Sequence, residues 1–187
     1  MAVYFTSDLH FGHKAIINYD SRPFFSVSEM NAELIKRWNN KVSVNDTVYI
    51  LGDISWYDEK ETIKIFKQLK GHKNLIKGNH DRIGGELRKC FENLWDYREI
   101  KVSLLDNTIR KCILSHYPIH FYNSHYYNAI MLYGHTHNTQ EQKYVEYISK
   151  WLNENDCPVE LYNVGCMYYN YEPVTLDEIL EKQKENK

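Results

Sequence analysis

Short apolar runs broken by polar turns recur along the chain, and their spacing switches between two periods. AVYFT (2–6), TVYIL (47–51), NLI (74–76), IKVSLL (100–105), IRKCIL (109–114), AIMLY (129–133) and ELYNV (160–164) are brief and rich in β-branched or aromatic residues. Such runs fit a pleated, half-buried surface, so they predict strands. Asp106-Asn107 separates two of them and suits a hairpin turn. Elsewhere the period is helical. In SVSEMNAELIKRWNNKV, Ser26 and Glu29 have capping-box spacing, and Met30, Leu34, Ile35 and Trp38 fall on one face. DEKETIKIFKQL repeats the pattern with Asp58, Ile63, Phe66 and Leu69, and EQKYVEYISKWL with Tyr144, Ile148 and Trp151. Thr175 and Glu178 open a closing helix, whose lysine-rich end after Leu180 is expected to be fraying and solvated. Strands and helices alternate early, strands dominate later, and a helix ends the chain. That order predicts an α/β protein in which helices cover mixed sheets.

Composition narrows the class. A length of 187 residues predicts one domain, 1–187, with no repeat or linker to divide it. The balance of 43% hydrophobic and 26% charged residues is that of an ordinary folded protein rather than a disordered one. A formal charge of −2 gives no broad basic footprint, which argues against an extended nucleic-acid partner. No apolar run approaches the ~20 residues of a membrane span, and MAVYFTSDLH lacks a leader pattern, so a cytoplasmic location is expected. Cys90, Cys112, Cys157 and Cys166 are far apart and read as reduced, mostly buried thiols. Nothing in the pattern specifies an oligomer.

Polar residues of one chemical kind collect where the strand-like runs stop. Asp8 and His10 follow the first run, Gly52-Asp53 the second, and Gly78-Asn79-His80-Asp81 the third. Ser115-His116 follows IRKCIL, and Gly134-His135-Thr136-His137 follows AIMLY. Ligand sites of open α/β sheets form beyond the carboxyl ends of strands, so the five clusters can converge. Asp-x-His and His-x-His would place both side chains on the same side of an extended segment. The glycines allow sharp turns or close approach. A cluster of His and Asp in such a place points to metal chemistry.

The order of these blocks, D-x-H, G-D, G-N-H-D, H and G-H-x-H, resembles the calcineurin-like metallophosphoesterases, and YNVGCMYYNYEPVTLDEIL resembles the ending of small bacterial and phage members. The resemblance implies a four-layer α-β-β-α sandwich of two mixed sheets. It implies two divalent transition-metal ions, manganese favoured, with iron, zinc or nickel as alternatives. Asp8, His10, Asp53 and His137 would hold one ion, and Asp53, Asn79, His116 and His135 the other. It further implies hydrolysis of phosphate mono- or diesters by direct attack of a metal-bridging hydroxide. His80 would be the proton donor to the leaving group, and Asp81 would orient it.

The residue types suit that chemistry. Two divalent ions ~4 Å apart repel by on the order of 17 kcal/mol at an effective dielectric of 20, so an anionic bridge such as Asp53 is required. With Asp8, Asp53 and a hydroxide counted, the centre keeps a charge of about +1 and can attract phosphate without a basic surface. A mixed oxygen and nitrogen donor set without thiolate fits manganese, iron or zinc.

The substrate is less specified. Asp53 is followed by ISWYDEK, where the family's protein phosphatases carry x-V-D-R-G, so a small phosphate ester or nucleotide-like substrate is expected. Arg82 is either a phosphate contact or a surface cation. His13 and Lys14 either meet phosphate or begin a helix. The segment 117–133, with His120, Tyr122, Phe121, His125, Tyr126 and Tyr127, is either an aromatic wall for a base or a loop packed on the sheet. Trp56 and Tyr57 are equally ambiguous. A non-catalytic scaffold and a nuclease are the alternatives; the first would tend to lose the catalytic histidine, and the second would want a basic groove.

Overall fold

The computed structural model describes residues 1–185, and Asn186 and Lys187, the end of the expected solvated tail, lie outside the described residues. The elements run β1 (Val3–Thr6), α1 (Ile16–Tyr19), α2 (Val27–Lys41), β2 (Thr47–Ile50), α3 (Glu59–Phe66), β3 (His72–Ile76), β4 (Asn93–Trp95), β5 (Tyr97–Ser103), β6 (Ile109–Ser115), β7 (Ile130–Tyr133), α4 (Gln140–Glu154), β8 (Leu161–Asn163), β9 (Val174–Thr175) and α5 (Leu176–Glu185). They form two mixed sheets flanked by helices. One sheet has the order β4-β3-β2-β1-β9, with β9 antiparallel to β1 and the rest parallel. The other has the order β5-β6-β7-β8, with β5 and β6 an antiparallel hairpin and β6, β7 and β8 parallel.

Side chains sort into three apolar layers by the strand period. Val48 and Ile50 face Met30, Leu34 and Trp38 of α2 and Ile65 and Phe66 of α3. Phe5, Ile76, Cys112, Leu114, Ile130 and Leu132 fill the space between the sheets. Met131 and Tyr133 face outward onto Val145 and Leu152 of α4. A strand buried on both faces reads as a continuous apolar run, which is what IMLY does. Ser26 caps α2 by accepting from the Glu29 N–H at 3.1 Å, and Thr175 and Glu178 bond each other reciprocally at the start of α5.

Two expectations are corrected. Tyr144, Ile148 and Trp151 do not face the core: Tyr144 is 59% exposed and Trp151 53%. The face of α4 is chosen by Gln142, which is buried and whose Oε1 accepts from Tyr133, Thr136 and Asn163. The end of α5 is not simply a frayed solvated tail, because helix persists to Glu185 and Lys182 packs on the Tyr169 ring while donating to the Tyr168 carbonyl. The strands β4 and β9, of three and two residues, are too short to produce a period.

Register decides where the loops meet. Thr6 lies opposite Ile50, and Ile50 opposite Leu75, so β1, β2 and β3 end level with one another. In the second sheet Leu114 is opposite Leu132. The sheets are joined at this same edge, where Ser7 bridges to Gly165 and the Cys166 N–H donates to the Ser7 carbonyl at 3.0 Å.

Candidate metal centre

Loops after β1, β2, β3, β6 and β7 all leave at that edge, and all seven residues expected as ligands are on them. Asp8, His10 and Asp53 are buried, as is His116. Five of the seven have positive φ: Asp8 at 55°, His10 at 50°, Asp53 at 54°, His135 at 68° and His137 at 46°. The Asp8–His10 and His135–His137 pairs are therefore not on extended backbone, as their spacing suggested, but on left-handed turns that still carry both members inward. Asp, Asn and His enter this region more readily than other side chains.

Close packing explains two of the glycines. A Cβ on Gly78 would stand 2.3 Å from Asp53 Oδ1, and one on Gly134 would stand 2.6 Å from Asp8 Oδ2. Any side chain at either place would displace a carboxylate.

The donor atoms form two groups. In the first, Asp8, His10, Asp53 and His137 each offer an atom within 4.8 Å of the others. His10 Nε2 is 3.1 Å from His137 Nε2, His137 Nε2 is 3.5 Å from Asp8 Oδ1, and His10 Nε2 is 3.6 Å from Asp53 Oδ2. In the second, Asn79 Oδ1 is 3.0 Å from both His116 Nε2 and His135 Nδ1. His116 Nε2 is 3.6 Å from Asp53 Oδ1. The two oxygens of Asp53 thus divide between the groups.

These residues fit a cation. Two carboxylates and two imidazoles crowd together, and burial holds His10 well below its ordinary pKa, with His137 adding to the effect. Burial also lowers His135. Neutral imidazoles are the ligating form. His137 differs: burial opposes its protonation, but the Asp20 hydrogen bond and the Asp8 charge outweigh that and raise it. A proton is favoured there because carboxylates surround the ring, and a metal ion would compete for the same lone pair.

Asp20 was not marked by the sequence. It accepts from His137 Nδ1 at 2.8 Å and pairs with Arg22 at 3.0 Å, with both side chains buried. Arg22 also donates to the carbonyls of Asp8 and Leu9, fastening the first ligand loop. His116 is oriented similarly, donating from Nδ1 to the Leu51 carbonyl at 2.7 Å. Partners of this kind fix which ring nitrogen faces the metal. Asp20→Asn is accordingly expected to weaken divalent-metal affinity by roughly 10-fold, read by competition with a chelating dye; unchanged affinity would remove Asp20 from this role.

Asp81 requires correction. It does not orient His80, because both its oxygens are committed elsewhere. Oδ2 accepts from the N–H groups of Gly78 at 2.8 Å and Asp53 at 2.9 Å, and Oδ1 from that of Ile54 at 2.9 Å. Burial pushes its carboxyl above the usual range, against these donors, which favour the anion. Asp81 is a clamp between the loops after β2 and β3.

His80 is exposed, and its backbone N–H donates to Asp53 Oδ1 at 3.1 Å. With Asn79, Trp56, Tyr57 and Arg82 it lines a cleft of about 560 Å³. His13 stays near the centre, 5.4 Å from the His10 ring between centroids. His120 and Tyr122 leave it. Because β6 and β7 are parallel, the chain after His116 must return along the sheet to start β7 at the opposite end. Tyr122 is buried there, bonded to Ala129 and Glu160, and His120 donates to Val145 of α4. Of this segment, Tyr117 remains, packed edgewise on His116 and His135. A larger groove of about 1150 Å³ between α4, α5 and β8 carries none of the ligand residues. No helix among the described residues is long and apolar enough to cross a membrane.

Residues 1–165 match the model of the calcineurin-like phosphoesterase superfamily domain. An uncharacterized protein of Methanocaldococcus jannaschii, MJ1445, is 34% identical over 97% of this chain and 93% of its own length. The Gene 66 protein of Mycobacterium phage L5 is 32% identical over 72% of this chain and 77% of its own. Among solved structures, a protein of unknown function from Aquifex aeolicus, AQ665, superimposes with a TM-score of 0.70 at 26% identity, covering 96% of this chain and 98% of that one.

Proposed function

Because the chain belongs to the calcineurin-like phosphoesterase superfamily, we propose that it is a two-metal phosphohydrolase acting on small phosphate mono- or diesters, nucleotide-like ones included. The observation that carries this reading is the sharing of Asp53. One carboxylate aims Oδ2 at the group containing His10 and Oδ1 at the group containing His116. Such a bridge offsets the repulsion between neighbouring cations. Divalent ions held there would acidify water and neutralise charge on the phosphoryl oxygens.

The chain's own residues do the rest. Asp8, His10 and His137 complete the first donor group, and Asn79, His116 and His135 the second. Asp81 holds the two loops at fixed separation, so both groups keep their places without substrate. His80 sits between the donor groups and the cleft, and its ring, free of any side-chain hydrogen bond among the described residues, donates a proton to the departing oxygen. Arg82 shares that cleft and supplies a guanidinium for an anionic oxygen. Retention of His80 weighs against a purely scaffolding role. The mixed oxygen and nitrogen donors suit manganese, iron or zinc alike, and manganese is the ion we propose to test first.

The test is a hydrolysis panel on metal-free protein reloaded with Mn²⁺, with bound metal counted in parallel. Aryl monoesters, aryl diesters, dinucleotides and cyclic nucleotides are compared. Metal-dependent turnover of at least one class, at two ions per chain, is expected. A fully loaded protein that cleaves none would overturn the reading.

A further inference from the structure

His80 needs something other than Asp81 to hold its ring, and the nearest aromatic neighbour is Trp56. The indole and the imidazole lie 4.4 Å apart between centroids at 53°. The other ring paired with His80, that of His10, is 6.1 Å away. Trp56 is itself fixed. His13 stacks on it at 4.1 Å and 8°, the Trp56 backbone N–H donates to the Phe11 carbonyl at 2.7 Å, and Phe11 bridges to Ser55. Thr62 at the start of α3 bonds the Ser55 hydroxyl at 2.8 Å. The indole, on the loop after β2, is therefore tied to the loop that carries His10, and it remains about half exposed at the mouth of the cleft.

We propose that Trp56, supported by His13, is the positioning residue for His80, restricting the imidazole to the orientation from which it protonates the leaving oxygen. This rests on the phosphohydrolase reading and deepens it. The physical ground is steric. A solvent-exposed imidazole without a hydrogen-bonded partner samples several rotamers, and a rigid indole on one side removes some of them. Reacting groups lose rate steeply when displaced by about 1 Å, so restricting the ring has kinetic weight. Aromatic packing takes the place that a carboxylate–histidine hydrogen bond would otherwise fill.

The role has a signature that a merely structural tryptophan lacks. Proton donation matters for esters of weakly acidic alcohols and little for 4-nitrophenyl esters, whose leaving group departs as the anion. Trp56→Ala is expected to lower kcat for phenyl or alkyl esters by roughly 10-fold or more beyond any change it makes to kcat for 4-nitrophenyl esters. Trp56→Phe should restore most of the loss. In a His80→Ala background the Trp56→Ala change should have no further effect, since the group it positions is gone. Bound metal should equal that of the unsubstituted protein. Equal losses for all leaving groups, additive losses in the double variant, or reduced metal content would each overturn the proposal.

One measurement separates this inference from the reading beneath it. The indole ring current should shift the His80 ring protons in the NMR spectrum, and Trp56→Ala should abolish that shift even if no substrate is ever turned over. A His80 signal insensitive to Trp56 would refute the contact whatever the activity. Loaded protein inert to every ester would refute the phosphohydrolase reading instead.

Discussion

Replacing Asp53 with asparagine is expected to cost the protein both metal positions, the first more than the second. An amide oxygen can still ligate, as Asn79 is placed to do, so the substitution isolates the missing charge and the altered second atom. The His80 N–H donates to Asp53 Oδ1. It would keep the amide oxygen at that place, because an amide NH₂ there would oppose another donor. The NH₂ then takes the position of Oδ2, 3.6 Å from His10 Nε2, and turns a ligand atom into a repelling one. Loss of one unit of negative charge beside a divalent ion at ~4 Å is worth on the order of 8 kcal/mol at an effective dielectric of 20, before desolvation is counted. Affinity at the first group should therefore fall by roughly 10³-fold or more, measured by metal analysis and calorimetric titration. Full occupancy at both positions in this variant would rule out the bridge.

The second large effect is expected of His80→Ala. Loss of a positioned general acid typically costs about 10²- to 10⁴-fold in rate, or roughly 3–5 kcal/mol of barrier. The imidazole is exposed and makes no side-chain hydrogen bond among the described residues, so folding stability should change by less than about 0.5 kcal/mol. The backbone bond to Asp53 survives truncation at Cβ, so both metal positions should stay filled. A fall in kcat on esters with poor leaving groups, with unchanged metal content and unchanged melting temperature, is the expected pattern. Turnover equal to that of the unsubstituted protein would reject His80 as the proton donor.

What could be read from the sequence follows from how local each signal is. Five of the seven strand-like runs keep a continuous apolar or alternating pattern over four or more observed residues or flank a recognisable turn, while β3 reveals itself through NLI despite a polar start and β8 through ELYNV although only three of its residues form the strand. The ligand blocks were visible because each is contiguous and follows a strand. The groups that support them are not contiguous. Asp20 meets His137 across 117 positions, and nothing in NYDSRPFF distinguishes that aspartate from an ordinary loop residue. Asp81 adjoins His80 in the chain, yet its carboxylate reaches back across 28 positions to Asp53, because unpaired N–H groups of a tight buried turn need an acceptor more than an exposed ring does. Helix α4 misled for a related reason. Tyr144, Ile148 and Trp151 have core spacing, but one buried glutamine bonded near the His135–His137 loop turned the helix the other way. Periodicity predicts that a face exists; partners elsewhere decide which face is covered.

The left-handed backbone at Asp8, His10, Asp53, His135 and His137 narrows the alphabet available to this centre. Glutamate is as good an oxygen donor as aspartate, and cysteine binds many of the same ions, but neither is among the side chains that favour positive φ. Aspartate and histidine satisfy the coordination chemistry and the torsion together. At these five positions the main chain restricts the choice of residue as firmly as the ions would, so drift toward another donor type would have to reshape the loop as well as the ligand.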